Sequence, residues 1–288
     1  MGFLKELWAL TRFDHAIMLA IAVLIGETIV LGSAPPITAI IVLSLLVPMI
    51  SEAGSFALND YLDIETDRIN KKSDRPLVRG TISPSFAFYF SIVCIFLSII
   101  LAFFINIPAF LIVLVFNGTA ILYNWKLKDI PFVGNAYIAL TMSIPFVFGN
   151  VIVAESISPL ILVLASLGFV SGLAREILKS VQDMEGDMAA RRSKTLPIVI
   201  GVKRSLIIVA ILYVLFIFLS FVPFSVGLSL TFFSGGGIAG ADLLIAYILY
   251  RLITHGTDRQ VLKDARNISL AALFIGMSGI LLAAIFSQ

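Results

Sequence analysis

The sequence predicts an all-α, polytopic membrane protein: a bundle of nine transmembrane helices with cytoplasmic Asp-rich loops. Three observations predict it. Of 288 residues, 59% are hydrophobic and 13% charged, about half the charge that a soluble domain spreads over its surface. The mean hydropathy is +1.05, and apolar stretches recur from residue 16 to residue 286, each near the roughly 20 residues that cross a bilayer. All 20 Lys and Arg fall before the first span or in and at the edges of every second connection, the positive-inside pattern. A soluble enzyme with one hydrophobic anchor is thereby excluded.

Residues 1–15, with Lys5, Trp8, Arg12 and Phe13, read as an interfacial helix leading into the first span. They do not read as a cleavable signal, because charge persists to Asp14 and the apolar run that follows is long enough to stay as a span. Spans follow at about 16–32, 37–59, 84–104, 107–124, 132–152, 158–178, 204–222, 226–250 and 267–286. The connections after spans one, three, five and seven (33–36, 105–107, 154–158 and 223–225) hold no Lys or Arg. The other face carries two before the first span, five in 60–83, two in 125–131, seven in 175–204 and four in 251–266. The N-terminus is therefore expected in the cytoplasm and the C-terminus outside. No composition shift marks a boundary, so 1–288 reads as a single domain. The net charge of +2 gives no reason to expect a nucleic-acid partner. A lone cysteine, Cys94, excludes an intrachain disulfide and a cysteine-cluster metal site; it reads as a small buried or lipid-facing residue. His15 and His255 read as interfacial. One loose echo links 59–80 with 183–201, where carboxylates four apart precede a basic stretch, a Pro and a Gly.

Chemistry is expected where the polar residues cluster. Asn59, Asp63 and Asp67 are four residues apart, so on a helix they stack on one face about 6 Å from turn to turn. Glu52 and Phe56 extend the stripe toward the bilayer. Asp183 and Asp187 repeat the spacing. Carboxylates at i, i+4 repel and weaken a helix, which calls for compensation. Mg²⁺ is the natural candidate, since it takes oxygen ligands and commonly combines one or two carboxylates with substrate phosphates. Two such clusters would hold a diphosphate between them. Arg68, Lys71, Lys72, Arg75 and Arg79 lie in one adjoining stretch, Arg191, Arg192 and Lys194 in another, and Lys126 and Lys128 in a third. Taken singly, these cations also serve topology. Glu52 is a candidate support for the metal. Glu27 and Asp242 sit in or near spans with no partner evident from sequence. Some of the 23 Phe could steady a carbocation with their ring faces.

The stretch Asn59-x-x-x-Asp63-x-x-x-Asp67 resembles the first Asp-rich motif of the UbiA superfamily of intramembrane prenyltransferases, and Asp183-x-x-x-Asp187 the second. Within the superfamily, the runs from Arg175 to Pro197 and from Asn59 through Arg75-Pro76 look most like its archaeal ether-lipid branch. The resemblance implies Mg²⁺-dependent transfer of a geranylgeranyl group from its diphosphate to the hydroxyl of geranylgeranylglyceryl phosphate. It assigns Asn59, Asp63, Asp67, Asp183 and Asp187 to Mg²⁺, and makes the four Asp and Lys126 catalytic. It gives Arg75 and Lys194, with Lys126, to the diphosphate, and Arg68 and Arg79 to the acceptor phosphate. Tyr123 and Lys128 join the substrate-binding set. The partners implied are a prenyl diphosphate, a lipid-phosphate acceptor and membrane lipids. Two departures stand out: Ser180 occupies a place where archaeal relatives often have Asp, and Tyr123 is followed by Lys126 and Lys128, neither at the family's spacing of four. An aromatic acceptor such as a quinone precursor is the alternative substrate. An ion-coupled transporter is the alternative class, though the only strong helix break in a span is the run from Ser234 to Gly237.

Overall fold

The structure is a computed structural model describing residues 2–191, 194–256 and 258–286, with backbone alone at 186, 190 and 191. Among the described residues every regular element is a helix, and nine are long and apolar enough to span a membrane. Helix α1 (Gly2–Thr11) ends at Arg12, whose φ of 48° turns the chain into α2 (Phe13–Leu31). Helix α3 (Ala39–Leu62) starts under Thr38, whose side chain accepts from the Ile41 amide, satisfying one orphan donor of the first turn. The short helices α4 (Ile64–Ile69) and α5 (Pro76–Arg79) follow. Next come α6 (Pro84–Phe103) and α7 (Ile107–Trp125), each with Pro in its first turn, where a missing N–H costs nothing. After a tight 3₁₀ turn at Leu127–Asp129 come α8 (Val133–Val153) and α9 (Pro159–Gly186). A wide π turn, Asp187–Arg191, continues α9. The chain closes with α10 (Leu196–Ile200), α11 (Val202–Leu219), α12 (Val222–Ser225), α13 (Phe232–His255) and α14 (Arg259–Phe286).

The chain forms two compact units. The first comprises Met1–Ala20, Pro36–Ile130 and Glu185–Lys194. Here α3 packs on α6 across small residues: a Cβ on Gly54 would fall 2.9 Å from that of Cys94, which is itself buried. The buried Asn117 of α7 donates to Ser98 of α6 at 3.1 Å and accepts from Ser51 of α3 at 3.0 Å. Between apolar helices in lipid, small contacts and polar crosslinks of this kind supply association that burial alone does not. Leu10, Ala57, Leu77, Ile82 and Ala87 form one buried cluster that seats α1 on α3.

The second unit comprises Ile21–Pro35, Pro131–Met184 and Thr195–Gln288. Its α13 and α14 meet backbone to backbone, since a Cβ on Gly237 would fall 2.8 Å from the Gly279 Cα. The run from Ser234 to Gly237 is therefore no break in a span. Ser234 closes a capping box with Thr231 at the start of α13, and the glycines admit the neighbouring helix. That cap also moves the eighth span from the expected 226–250 to 232–255. The ninth begins earlier than expected, at Arg259, because polar residues up to Arg266 remain helical. The loose sequence echo has a local counterpart. Both Asp motifs precede a short helix with Pro in its first turn, followed by a Gly at positive φ, Gly80 at 74° and Gly201 at 85°.

Candidate active site at the acidic ladder

Asn59, Asp63 and Asp67 do not lie on one straight helix. Asp63, at φ −102° and ψ 7°, closes α3 and opens α4. The register survives the bend, because the Asp63 amide donates to the Asn59 carbonyl at 2.9 Å and the Asp67 amide to the Asp63 carbonyl at 2.8 Å. Side chains extend the order. Asn59 Nδ2 donates to Asp63 Oδ2 at 3.0 Å and to Asn124 Oδ1, near the end of α7, at 2.8 Å.

Every ladder carboxylate meets a cation. Lys128 Nζ lies 2.6 Å from Asp63 Oδ1, Lys72 Nζ 3.1 Å from Asp67 Oδ1, and Arg75 Nε 3.9 Å from Asp67 Oδ2. Asp60, one position from Asn59 and 1% exposed, holds Arg12 at 2.5 Å and Arg75 at 3.7 Å. The repulsion expected from spacing is thus compensated within the chain by side-chain cations. Arg12 is turned inward: its guanidinium sits 4.0 Å over the Phe56 ring. Burial pulls its pKa down to about 10 against the opposing charge of Asp60. Glu52 lies within electrostatic reach of Arg12, and its Oε2 is buried without a hydrogen-bond partner.

The remaining sequence candidates divide. Lys126 caps α7 and is exposed, so Lys128, two residues on, is the lysine brought to the ladder. Tyr123 is half-buried beside Asn124 in sequence. Arg68 is exposed and pairs with exposed Glu65 at 2.7 Å. Arg79 binds Glu6 at 2.5 Å and the Ser73 carbonyl at 2.9 Å; with Thr81 it holds the Glu6 carboxyl below its usual range. Arg79 therefore fastens α1 rather than reaching the ladder. Asp187 opens the π turn that packs against α4, the helix carrying Asp67. Asp183, a turn earlier on α9, belongs to the second unit, and Lys194 is exposed. Arg192 and the Arg191 side chain lie outside the described residues. Elsewhere, Ser180 accepts from Asn135 at 2.7 Å, and Asp242 accepts from Ser220 at 2.8 Å, a partner sequence did not reveal. Glu27 is fully buried in α2. The sequence reading missed Asp60, Arg12 and Asn124. Asn124, a polar residue at the end of an apolar span, was the available signal.

The donor set fits a hard cation. An amide oxygen and carboxylates on successive turns offer oxygen ligands alone. Among the described residues no three Asp, Glu, His or Cys converge to make a ready metal centre. The ladder thus supplies part of a shell, in keeping with Mg²⁺ that keeps waters and takes phosphate oxygens.

Apolar spans ending in an oxygen-only ladder ringed by Lys and Arg define a membrane-embedded enzyme of phosphate-ester chemistry. The chain belongs to the UbiA prenyltransferase family, whose model matches residues 16–285. It is a prenyltransferase, and family membership removes the transporter alternative. The digeranylgeranylglyceryl phosphate synthase of Thermococcus kodakarensis is 34% identical, over 98% of this chain and 98% of its own length. A solved structure, described as giving structural and mechanistic insights into digeranylgeranylglyceryl phosphate synthase in membranes, is similar at TM-score 0.74. That structure is 30% identical and matches over 99% of each chain. A UbiA homolog from Archaeoglobus fulgidus bound to GPP and Mg²⁺ shares the fold at TM-score 0.65 and 24% identity, over 96% of this chain and 99% of its own.

Proposed function

We propose that this enzyme transfers a geranylgeranyl group from geranylgeranyl diphosphate to the hydroxyl of geranylgeranylglyceryl phosphate. The observation that carries this reading is the cation-paired ladder, in which Lys128 engages Asp63 while Lys72 and Arg75 engage Asp67. The full-length similarity to digeranylgeranylglyceryl phosphate synthases supports the acceptor. The whole of 1–288 acts as one prenyltransferase domain in this reading.

Asn59, Asp63, Asp67, Asp183 and Asp187 would hold Mg²⁺, directly or through water. When bound, Mg²⁺ supplies Lewis acidity to the diphosphate and fixes the leaving group. The chain's own residues do the rest. Asn124 holds the Asn59 amide, which steadies Asp63 in turn. Lys128, Lys72 and Arg75, already beside the ladder, are placed to meet negative charge that accumulates on the leaving diphosphate as the allylic C–O bond breaks. Arg12 holds Asp60, the carboxylate next to the ladder face, and so keeps the end of α3 in place. The acceptor hydroxyl captures the carbocation and loses its proton. Apolar helix faces exclude water that would otherwise take the cation to the free alcohol.

The purified protein with labelled geranylgeranyl diphosphate should prenylate geranylgeranylglyceryl phosphate and leave 4-hydroxybenzoate untouched. Faster labelling of the aromatic acid would replace the acceptor while keeping the chemistry. The ladder end is proposed to face the cytoplasm, with the N-terminus there and the C-terminus outside. In a Cys94→Ala background, Ser73→Cys should react with an impermeant maleimide only from the cytoplasmic side, and Glu155→Cys only from outside; both positions are exposed. Labelling of both from one side would refute this topology.

A further inference from the structure

Within the second unit, three helices bring together polar groups that the ladder chemistry does not use. Arg175 of α9 lies within electrostatic reach of Arg266 of α14 and Tyr213 of α11. The Nε atoms of both arginines are buried without a hydrogen-bond partner. Tyr213 is 0% exposed, and its hydroxyl has Ser269 alone within reach among the described side chains, without a well-formed hydrogen bond. Ser269 adjoins it but donates its own hydroxyl to the Arg266 carbonyl at 2.9 Å. Ser171, one turn before Arg175, has an orphaned buried hydroxyl as well. Arg266 donates to the neutral Gln182 at 2.9 Å, and no carboxylate pairs with it among the described residues. The carboxylate beside Arg175, Glu176, is engaged by Lys179 at 2.9 Å. Positive charge is therefore in excess around the two guanidiniums, on helices that span the membrane.

Two like charges with unsatisfied donors inside a span are costly, and an anion between them removes the cost. Guanidinium forks match phosphate oxygens in bidentate fashion. A phosphate monoester carries about −1.5 to −2 at neutral pH, which answers two arginines, whereas a carboxylate answers one. Arg175 lies eight residues before Asp183, about 12 Å along the helix, while Arg266 reaches Gln182 beside Asp183, so the cluster runs from the second Asp motif deeper into the span. We infer that Arg175, Arg266 and Tyr213 form an anion site that receives the phosphate monoester of the acceptor lipid. The inference rests on the lipid-phosphate acceptor proposed above.

The test compares geranylgeranylglyceryl phosphate with dephosphorylated geranylgeranylglycerol in wild type, Arg175→Gln, Arg266→Gln and Arg175→Lys. Each Gln variant should raise KM for the phosphorylated acceptor on the order of tenfold. The donor KM should stay within about twofold, and the slow rate on the dephosphorylated acceptor should be unchanged. Arg175→Lys should recover part of the loss, since charge remains without the fork. A rise in donor KM instead would give the site to the diphosphate and overturn the inference, as would equal losses on both acceptors. A second readout needs no turnover. Hexadecyl phosphate should raise the melting temperature of wild type, hexadecanol should not, and both Gln variants should lose the shift. If no lipid phosphate is prenylated yet that Arg-dependent shift persists, the proposed function fails while the anion site stands. If prenylation proceeds with neither the shift nor the KM change, the anion site fails alone.

Discussion

Exhaustive chelation with EDTA should bring prenyl transfer to background, and Mg²⁺ should restore it while Na⁺ at equal ionic strength should not. The expectation follows from how little the ladder offers by itself. Its carboxylates are engaged by Lys128, Lys72 and Arg75, and no three acidic, His or Cys side chains converge among the described residues. An allylic diphosphate carries several negative charges that the cations near the ladder answer only in part. Bringing it against Asp63 and Asp67 requires added positive charge. The loss should be measured as initial rate against free Mg²⁺, with a melting curve alongside. The fold is held by apolar helices and internal ion pairs, so chelation should shift the melting temperature by little. Full turnover after chelation would sink the metal assignment outright.

The second large effect is expected from Asp63→Asn. Turnover should fall on the order of a hundredfold or more, the scale seen when one electrostatic stabiliser of a transition state is lost. Spacing alone argued that removing this charge relieves repulsion and raises stability. The structure reverses that sign. Asp63 pairs with Lys128, whose side chain is only 9% exposed, so the variant removes a charge partner from an ammonium largely shielded from water. A loss of about 1–2 kcal/mol is expected, too small to unfold the chain. Glu65→Gln is the control. Glu65 is 76% exposed and touches Arg68 on the surface, so turnover should stay near wild type. Equal damage from the two variants would refute the assignment of one ladder face to the reaction.

Much of the fold was legible because lipid imposes a one-dimensional rule. Backbone polar groups must be satisfied within each span, so apolar runs of the right length become helices, and nine runs became nine helices among the described residues. The ladder was legible for a similar reason, since its spacing is a local property that survives the bend at Asp63 through the i→i−4 hydrogen bonds. Local patterns failed where a single residue's backbone mattered. Ser234 to Gly237 reads as a break by composition, yet the Thr231 cap and the close approach of Gly279 make it the start of a packed helix.

What the sequence by itself determined is the membrane class, the number of spans and the residues of the acidic motifs, because each is set by periodicity and charge along the chain. Only the tertiary structure decided which cation serves which carboxylate. Lys128 rather than Lys126 reaches Asp63, Arg79 goes to Glu6, and Arg12, 48 residues away in sequence, pairs with Asp60. Long, flexible cations can reach many neighbours, and the choice among them depends on where a capped helix end and a positive-φ turn at Arg12 leave each stem. Those positions come from the packing of whole helices, which no spacing of four residues encodes.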